Sequence, residues 1–210
     1  MSATDVLLKE RAALCDTLAQ YGAEAPTLCE GWLTADLVAH LLTREKRPDA
    51  ALGIVLPGPF AKHTERVLDQ YKGKGYDVMV QELRHGPPKY FRIGPMAALN
   101  VGENWIHHED VRRANGESPR PADPEIDDIL WGSLKTATFM ARRKLKTVGL
   151  VLKTPDGKER VVKQADPLVT IVGAPGELVL FMSGRKEAAD VHLDGPHEAV
   201  AIVLATKLGI

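Results

Sequence analysis

Apolar residues recur at helical spacing over the first two-thirds of the chain and contract into short runs afterwards. Leu7, Leu14, Leu18 and Tyr21 mark one stripe over residues 3–21, closed by Gly22, a residue suited to a helix end. After a turn holding Pro26 and Gly31, Thr34 is placed to cap a second helix. Its interior, Leu37-Val38-Ala39-His40-Leu41-Leu42, is apolar on nearly every side and therefore expected to be buried. Residues 47–59, with Pro48, Gly53, Pro57, Gly58 and Pro59, predict a loop, and shorter helices are predicted over 61–71 and 76–83.

Pro95 is suited to the first turn of a long helix that runs to Ala114 and stops at Asn115-Gly116. Asp123-Pro124 supplies another cap, followed by the stripe Ile126, Leu130, Leu134, Ala137 and Ala141 and the basic end Arg142-Arg143-Lys144. From Thr147 the period changes. Val148, Leu150 and Leu152 face Val161 and Val162 across Thr154-Pro155-Asp156-Gly157, which predicts a β-hairpin. A third strand is expected over 168–172, a short helix over 176–182, a fourth strand over 190–193 and a last helix over 197–207. The chain is thus read as α+β, with a helical domain over 1–146 and a small α+β domain over 147–210.

Composition narrows the function classes. The 210 residues carry a formal net charge of −1, so no long-range field recruits nucleic acid or an anionic membrane. No apolar run is long enough to span a bilayer and the N-terminus carries charges where a signal peptide is apolar, so a cytoplasmic location is expected. Two cysteines make no disulfide scaffold: Cys15 falls on a helical stripe, and Cys29 reads as a small, largely buried side chain in the turn before the second helix, not as a ligand.

The candidate chemistry lies on two helices. Glu103 and His107 are four residues apart and stand one above the other. Met96 and Leu99 precede them on that face and Asp110 follows, so the pair is expected to face inward, where a carboxylate is costly without a partner. His40 sits in the apolar second helix with the same need. Two imidazoles and one carboxylate form the ligand set of an open zinc site, and iron, nickel, manganese or cobalt fits the same donors. The spacing by itself also fits an exposed, locally hydrogen-bonded pair, and His40 by itself fits a core histidine bonded to a backbone carbonyl.

Two segments carry a resemblance. Thr27-Leu28-Cys29-Glu30-Gly31-Trp32 followed by Asp36-Leu37-Val38-Ala39-His40-Leu41, and later Glu103-Asn104-Trp105-Ile106-His107-His108-Glu109-Asp110-Val111-Arg112-Arg113, resemble the mycothiol-dependent maleylpyruvate isomerase family, within the wider DinB-like group of metal-binding proteins. The resemblance implies an N-terminal DinB-like four-helix bundle whose second helix gives one histidine and whose later long helix gives the pair, with His40, Glu103 and His107 holding a divalent ion, zinc being the expected one. Glu103, where many DinB-like proteins have histidine, agrees with the isomerase branch. The stretch from Gly173 to Arg185 resembles that family's small C-terminal element, which makes Arg185 a candidate anion contact; a surface arginine at a helix end is the other reading.

The function so implied is thiol transfer to, or cis–trans isomerisation of, a small electrophile with mycothiol as cosubstrate, Asp110 orienting a ligand or relaying a proton. The alternative is a bundle in which the ion is structural or sensed and nothing turns over. Asp110 as a merely solvated carboxylate, and a monomer or a homodimer, stay open. Arg112 and Arg113 are read as helix-end charges, and His63, His85, His108, His192 and His197 as surface or loop residues.

Overall fold

The computed structural model describes residues 1–51, 53 and 58–209. By its contacts the chain divides into two compact units, Met1–Ser118 and Pro119–Ile210. The change of texture at residue 146 and this division fall at different places, because the helix over Pro124–Lys144 packs on elements that follow it.

In the first unit, α1 (Ala3–Tyr21) starts at a reciprocal cap: Ser2 Oγ accepts from the Asp5 amide at 3.2 Å and Asp5 accepts from the Ser2 amide at 3.1 Å. It stops at Gly22, whose φ of +77° suits glycine alone. The second helix, α2 (Thr34–Lys46), is capped one residue earlier than expected. Leu33 holds the cap position, and Asp36 reaches back to accept from its amide at 3.0 Å, while Thr34 turns its hydroxyl to the Gly22 carbonyl. A carboxylate three residues into the helix satisfies an amide that a leucine side chain cannot.

The expected loop over 47–59 contains the short helix α3 (Pro48–Ala51), while residues 52 and 54–57 lie outside the described ones. Then come α4 (Pro59–Lys72), α5 (Tyr76–Arg84) and the long α6 (Gly94–Ala114), close to their predicted bounds. Helix α1 packs on α6 and α5, and α2 on α4 and α5. The core between them is built from Leu14, Leu18, Leu37, Leu41, Leu42, Met79 and Leu83, all at 1% exposure or less. Such side chains contribute on the order of 1.5–3 kcal/mol each on burial.

Between these helices lies a buried polar layer that the sequence reading missed. His108, expected at the surface, is buried, its Nδ1 2.9 Å from Glu10 Oε1 and its Nε2 2.8 Å from Thr17 Oγ1 on α1. Arg112 and Arg113 do more than sit at a helix end. They grip the fully buried Glu109 carboxylate at 2.7 and 2.6 Å, since a charge there needs partners.

The second unit opens with α7 (Pro124–Lys144), capped by Asp123, which accepts from the Glu125 amide. Its buried stripe Ile126, Leu130, Leu134 and Ala141 explains its attachment to this unit, where it packs on α8 (Pro175–Met182) and on the sheet. The sheet has the order β2-β1-β3-β4. The hairpin β1 (Gly149–Lys153) and β2 (Glu159–Lys163) forms as predicted, β3 (Leu168–Val172) adds parallel to β1, and β4 (His192–Asp194) adds antiparallel to β3. Helix α9 (His197–Ala205) packs on β3. Among the described residues no helix is long and apolar enough to cross a membrane.

Candidate metal centre

Helices α2 and α6 bring His40, Glu103 and His107 together. His40 Nε2 stands 3.7 Å and His107 Nε2 3.5 Å from the same oxygen, Glu103 Oε1, and all three donor atoms lie within 4.8 Å of one another. Ligands about 2.1 Å from a tetrahedral ion are about 3.4 Å apart. Edges of 3.5 and 3.7 Å therefore fit one small cation better than direct hydrogen bonds, which need about 2.7–3.2 Å. The donor set agrees: two imidazoles and one carboxylate suit zinc and leave a fourth position for solvent or substrate.

The face carrying this cluster differs from expectation in one respect. Met96 and Leu99 do not point into the core; they are 37% and 43% exposed. The stripe Met96, Leu99, Glu103, His107, Asp110 thus runs from surface to interior, while toward its N-terminus α6 buries another face through Ala97, Asn100 and Val101. Glu103 keeps 27% of its side chain exposed, whereas those of His40 and His107 keep 10% and 9%. The cluster has an open side at the carboxylate and a closed side at the imidazoles.

Each donor is held from behind. His107 Nδ1 lies 2.9 Å from an oxygen of Asp110, which is wholly buried; a proton held there leaves Nε2 free to bind a cation. The Trp32 ring lies against His40 with centroids 5.0 Å apart, and the two imidazoles meet edge to face at 5.3 Å. Arg44, one turn after His40, places Nε 3.3 Å from Glu103 Oε1 and donates to Asn100. The i to i+4 spacing that exposed Glu103 and His107 in the sequence applied equally to His40 and Arg44. Cys29, read as an apolar filler, instead directs its thiol to Asp110 at 3.2 Å. Arg185 belongs to the other compact unit, where its guanidinium donates to the Ser183 carbonyl just after α8.

These contacts shift protons. Burial weighs against charge on Glu103, yet the imidazoles of His107 and His40 and the Arg44 guanidinium hold its carboxyl well below the usual range. Burial likewise weighs against a charged His107, but Asp110, Cys29 and Glu103 together hold it well above the ordinary histidine value. His40 goes the other way, lowered by burial and by its cationic neighbours despite Glu103. These contacts favour charge on both Glu103 and His107 in the cation-free protein and disfavour it on His40.

No protein-family model and no curated protein sequence matches the chain. Its fold is nonetheless that of a solved enzyme: the crystal structure of the mycothiol-dependent maleylpyruvate isomerase aligns over 91% of both chains with a TM-score of 0.55 at 15% identity. A histidine-to-alanine variant of that enzyme aligns equally well at 14% identity. The likeness read from residues 27–41 and 103–113 is thus borne out in the fold, which is α+β as expected.

Proposed function

We propose that this protein binds one divalent cation, zinc first among candidates, at His40, Glu103 and His107 and uses a low-molecular-weight thiol to isomerise or thiolate a small electrophile. The observation that carries the reading is the pair of 3.5 and 3.7 Å edges on a single carboxylate oxygen, drawn from two helices. The DinB-like four-helix arrangement belongs to the same proposal, as does mycothiol, the thiol in the printed name of the enzyme with this fold.

A cation held there supplies Lewis acidity, lowering the pKa of a thiol or water that enters its open position. The chain's residues do the rest. Asp110 keeps the His107 imidazole turned with Nε2 forward, and Trp32 fixes the plane of His40. Met96 and Leu99 give the open side an apolar lip, against which an organic substrate loses water. Arg44 places a positive charge beside the carboxylate. In an isomerisation the thiol sulfur adds to an unsaturated carbon, rotation follows, and the same C–S bond breaks, so that the thiol is regenerated with no net oxidation.

Zinc-loaded protein is expected to isomerise maleylpyruvate or a related cis-enoate only when mycothiol is present. Chelation should abolish this while leaving the helical signal intact, because the donors are held by packing that needs no ion. Stoichiometric zinc with no thiol-dependent turnover on any such compound would instead establish the structural or sensing role.

The charged state of His107 adds an expectation about pH. Its pKa in the cation-free protein lies well above 6.5, so cation and proton compete for Nε2. Affinity should rise with pH until the folded-state pKa is passed and then level off, with about one proton released per ion near neutrality. Calorimetry in buffers of different ionisation enthalpy counts that proton; zero release at pH 7 contradicts the assignment.

A further inference from the structure

We infer that Cys29 is a positioning residue for the cation site, acting on His107 together with Asp110. The inference rests on the cation reading above and adds a residue to it. Asp110 is wholly buried and its carboxylate does two things at one oxygen: Oδ2 lies 2.9 Å from His107 Nδ1 and accepts from the Cys29 thiol at 3.2 Å. A buried carboxylate turns to whichever donors it has, so a second donor on that oxygen pins the direction in which the first is held.

The turn that carries Cys29 is built for this placement. Thr27 Oγ1 accepts from the Cys29 amide at 3.2 Å and donates to the Trp32 carbonyl at 2.9 Å, and the Trp32 amide closes on the Cys29 carbonyl at 2.9 Å. The Leu28 amide donates at 3.0 Å to the backbone carbonyl of Asp110 itself. The turn therefore meets Asp110 twice, once through the main chain and once through the thiol, while Trp32 lies on the other imidazole. One short segment thus reaches both histidines, His40 through Trp32 and His107 by way of Cys29 and Asp110.

Spacing separates this role from that of a ligand. Cys29 Sγ, His107 and Asp110 also form a group with donors within 4.8 Å. The two edges to Asp110, 3.2 Å from Cys29 and 2.9 Å from His107, are hydrogen-bond lengths, however, whereas the His40–Glu103 and His107–Glu103 edges are those of ligands around an ion. Packing alone does not account for a thiol here, since an alanine or valine would fill space without donating to the carboxylate.

Zinc affinity, measured by competition with a chromogenic chelator, and the visible spectrum of the cobalt form test the inference on the full chain. Cys29→Ala is expected to weaken zinc by about tenfold, the lower end for residues behind a ligand, and to alter the cobalt ligand-field bands. Cys29→Ser, which restores a donor, should recover most of that loss. Cys15→Ala in the core is the control, expected to lower thermal stability without moving affinity or spectrum. Equal affinity in wild type and Cys29→Ala overturns the inference and leaves the cation site standing. A sulfur-to-cobalt charge-transfer band in wild type, lost in both Cys29 variants, overturns it in favour of a ligand role. Wild type that binds neither metal overturns both the inference and the proposed function.

Discussion

His107→Ala should leave the purified protein with almost no zinc, against about one ion per chain in wild type, and weaken zinc affinity by more than about 100-fold. Losing a residue behind a ligand costs roughly ten- to a hundredfold, and losing the ligand itself should cost more. The contacts of His107 make this the most damaging change at the site. His107 is the only donor tied to both Glu103 and Asp110, so its removal takes away a ligand and leaves the buried Asp110 carboxylate without its imidazole partner. His40→Ala should approach the same affinity loss but spare Asp110. Glu103→Gln keeps the shape while removing the charge that the cation neutralises. Elemental analysis of the three variants beside wild type decides the matter. Full zinc content in His107→Ala, with circular dichroism unchanged, would sink the assignment.

The same variant should lose a pH dependence. In the cation-free protein the raised pKa of His107 contributes stability that is complete below 6.5 and disappears as pH rises through its folded value. The lowered pKa of Glu103 contributes stability that is complete above 4.5 and disappears as pH falls. The pair is therefore strongest between those limits, and thermal midpoints of chelated wild type should pass through a maximum there that His107→Ala lacks.

Local regularities were legible in the sequence because they are written locally. The stripes of α1, α6 and α7, the turn at Thr154–Gly157 and the i to i+4 pair Glu103–His107 each need only neighbours in the chain. Placing His40 against that pair was not local: its helix and its need for a partner were readable, the direction of its imidazole was not, and likeness to a known family strengthened the expected meeting. What lay beyond reach were partners whose separation in sequence carries no period. Glu10 and His108 are 98 residues apart and Cys29 and Asp110 are 81 apart. The inward orientation expected of Met96 and Leu99 failed for a related reason. An apolar stripe shows which residues share a face, and the cover over that face comes from other elements.

Glu45→Ala should destabilise the N-terminal unit by about 3–5 kcal/mol, a large share of the roughly 5–15 kcal/mol that holds a domain together. Arg11 on α1 and Glu45 on α2 are each 2% exposed or less and meet through both guanidinium nitrogens, Nη1 to Oε1 at 3.1 Å and Nη2 to Oε2. Truncating the carboxylate strands a guanidinium in the core, and the cost is that of an unpaired buried charge, well above the ~0.2–1 kcal/mol of a surface pair. Replacing both partners together, Arg11→Met with Glu45→Leu, should recover most of the loss, because apolar packing also removes the desolvation of the two charges. Burial weighs against charge on the Glu45 carboxyl, and the Arg11 guanidinium pulls the other way. At about 100° per residue Glu45 lies about 140° around α2 from His40, while Arg44 lies only about 40° away. The buried pair thus holds the rotation of α2 that turns His40 and Arg44 to α6. Denaturant midpoints of the two single variants and the double variant test this: single losses under about 1 kcal/mol would show that the pair is solvated in solution and that core packing alone orients His40.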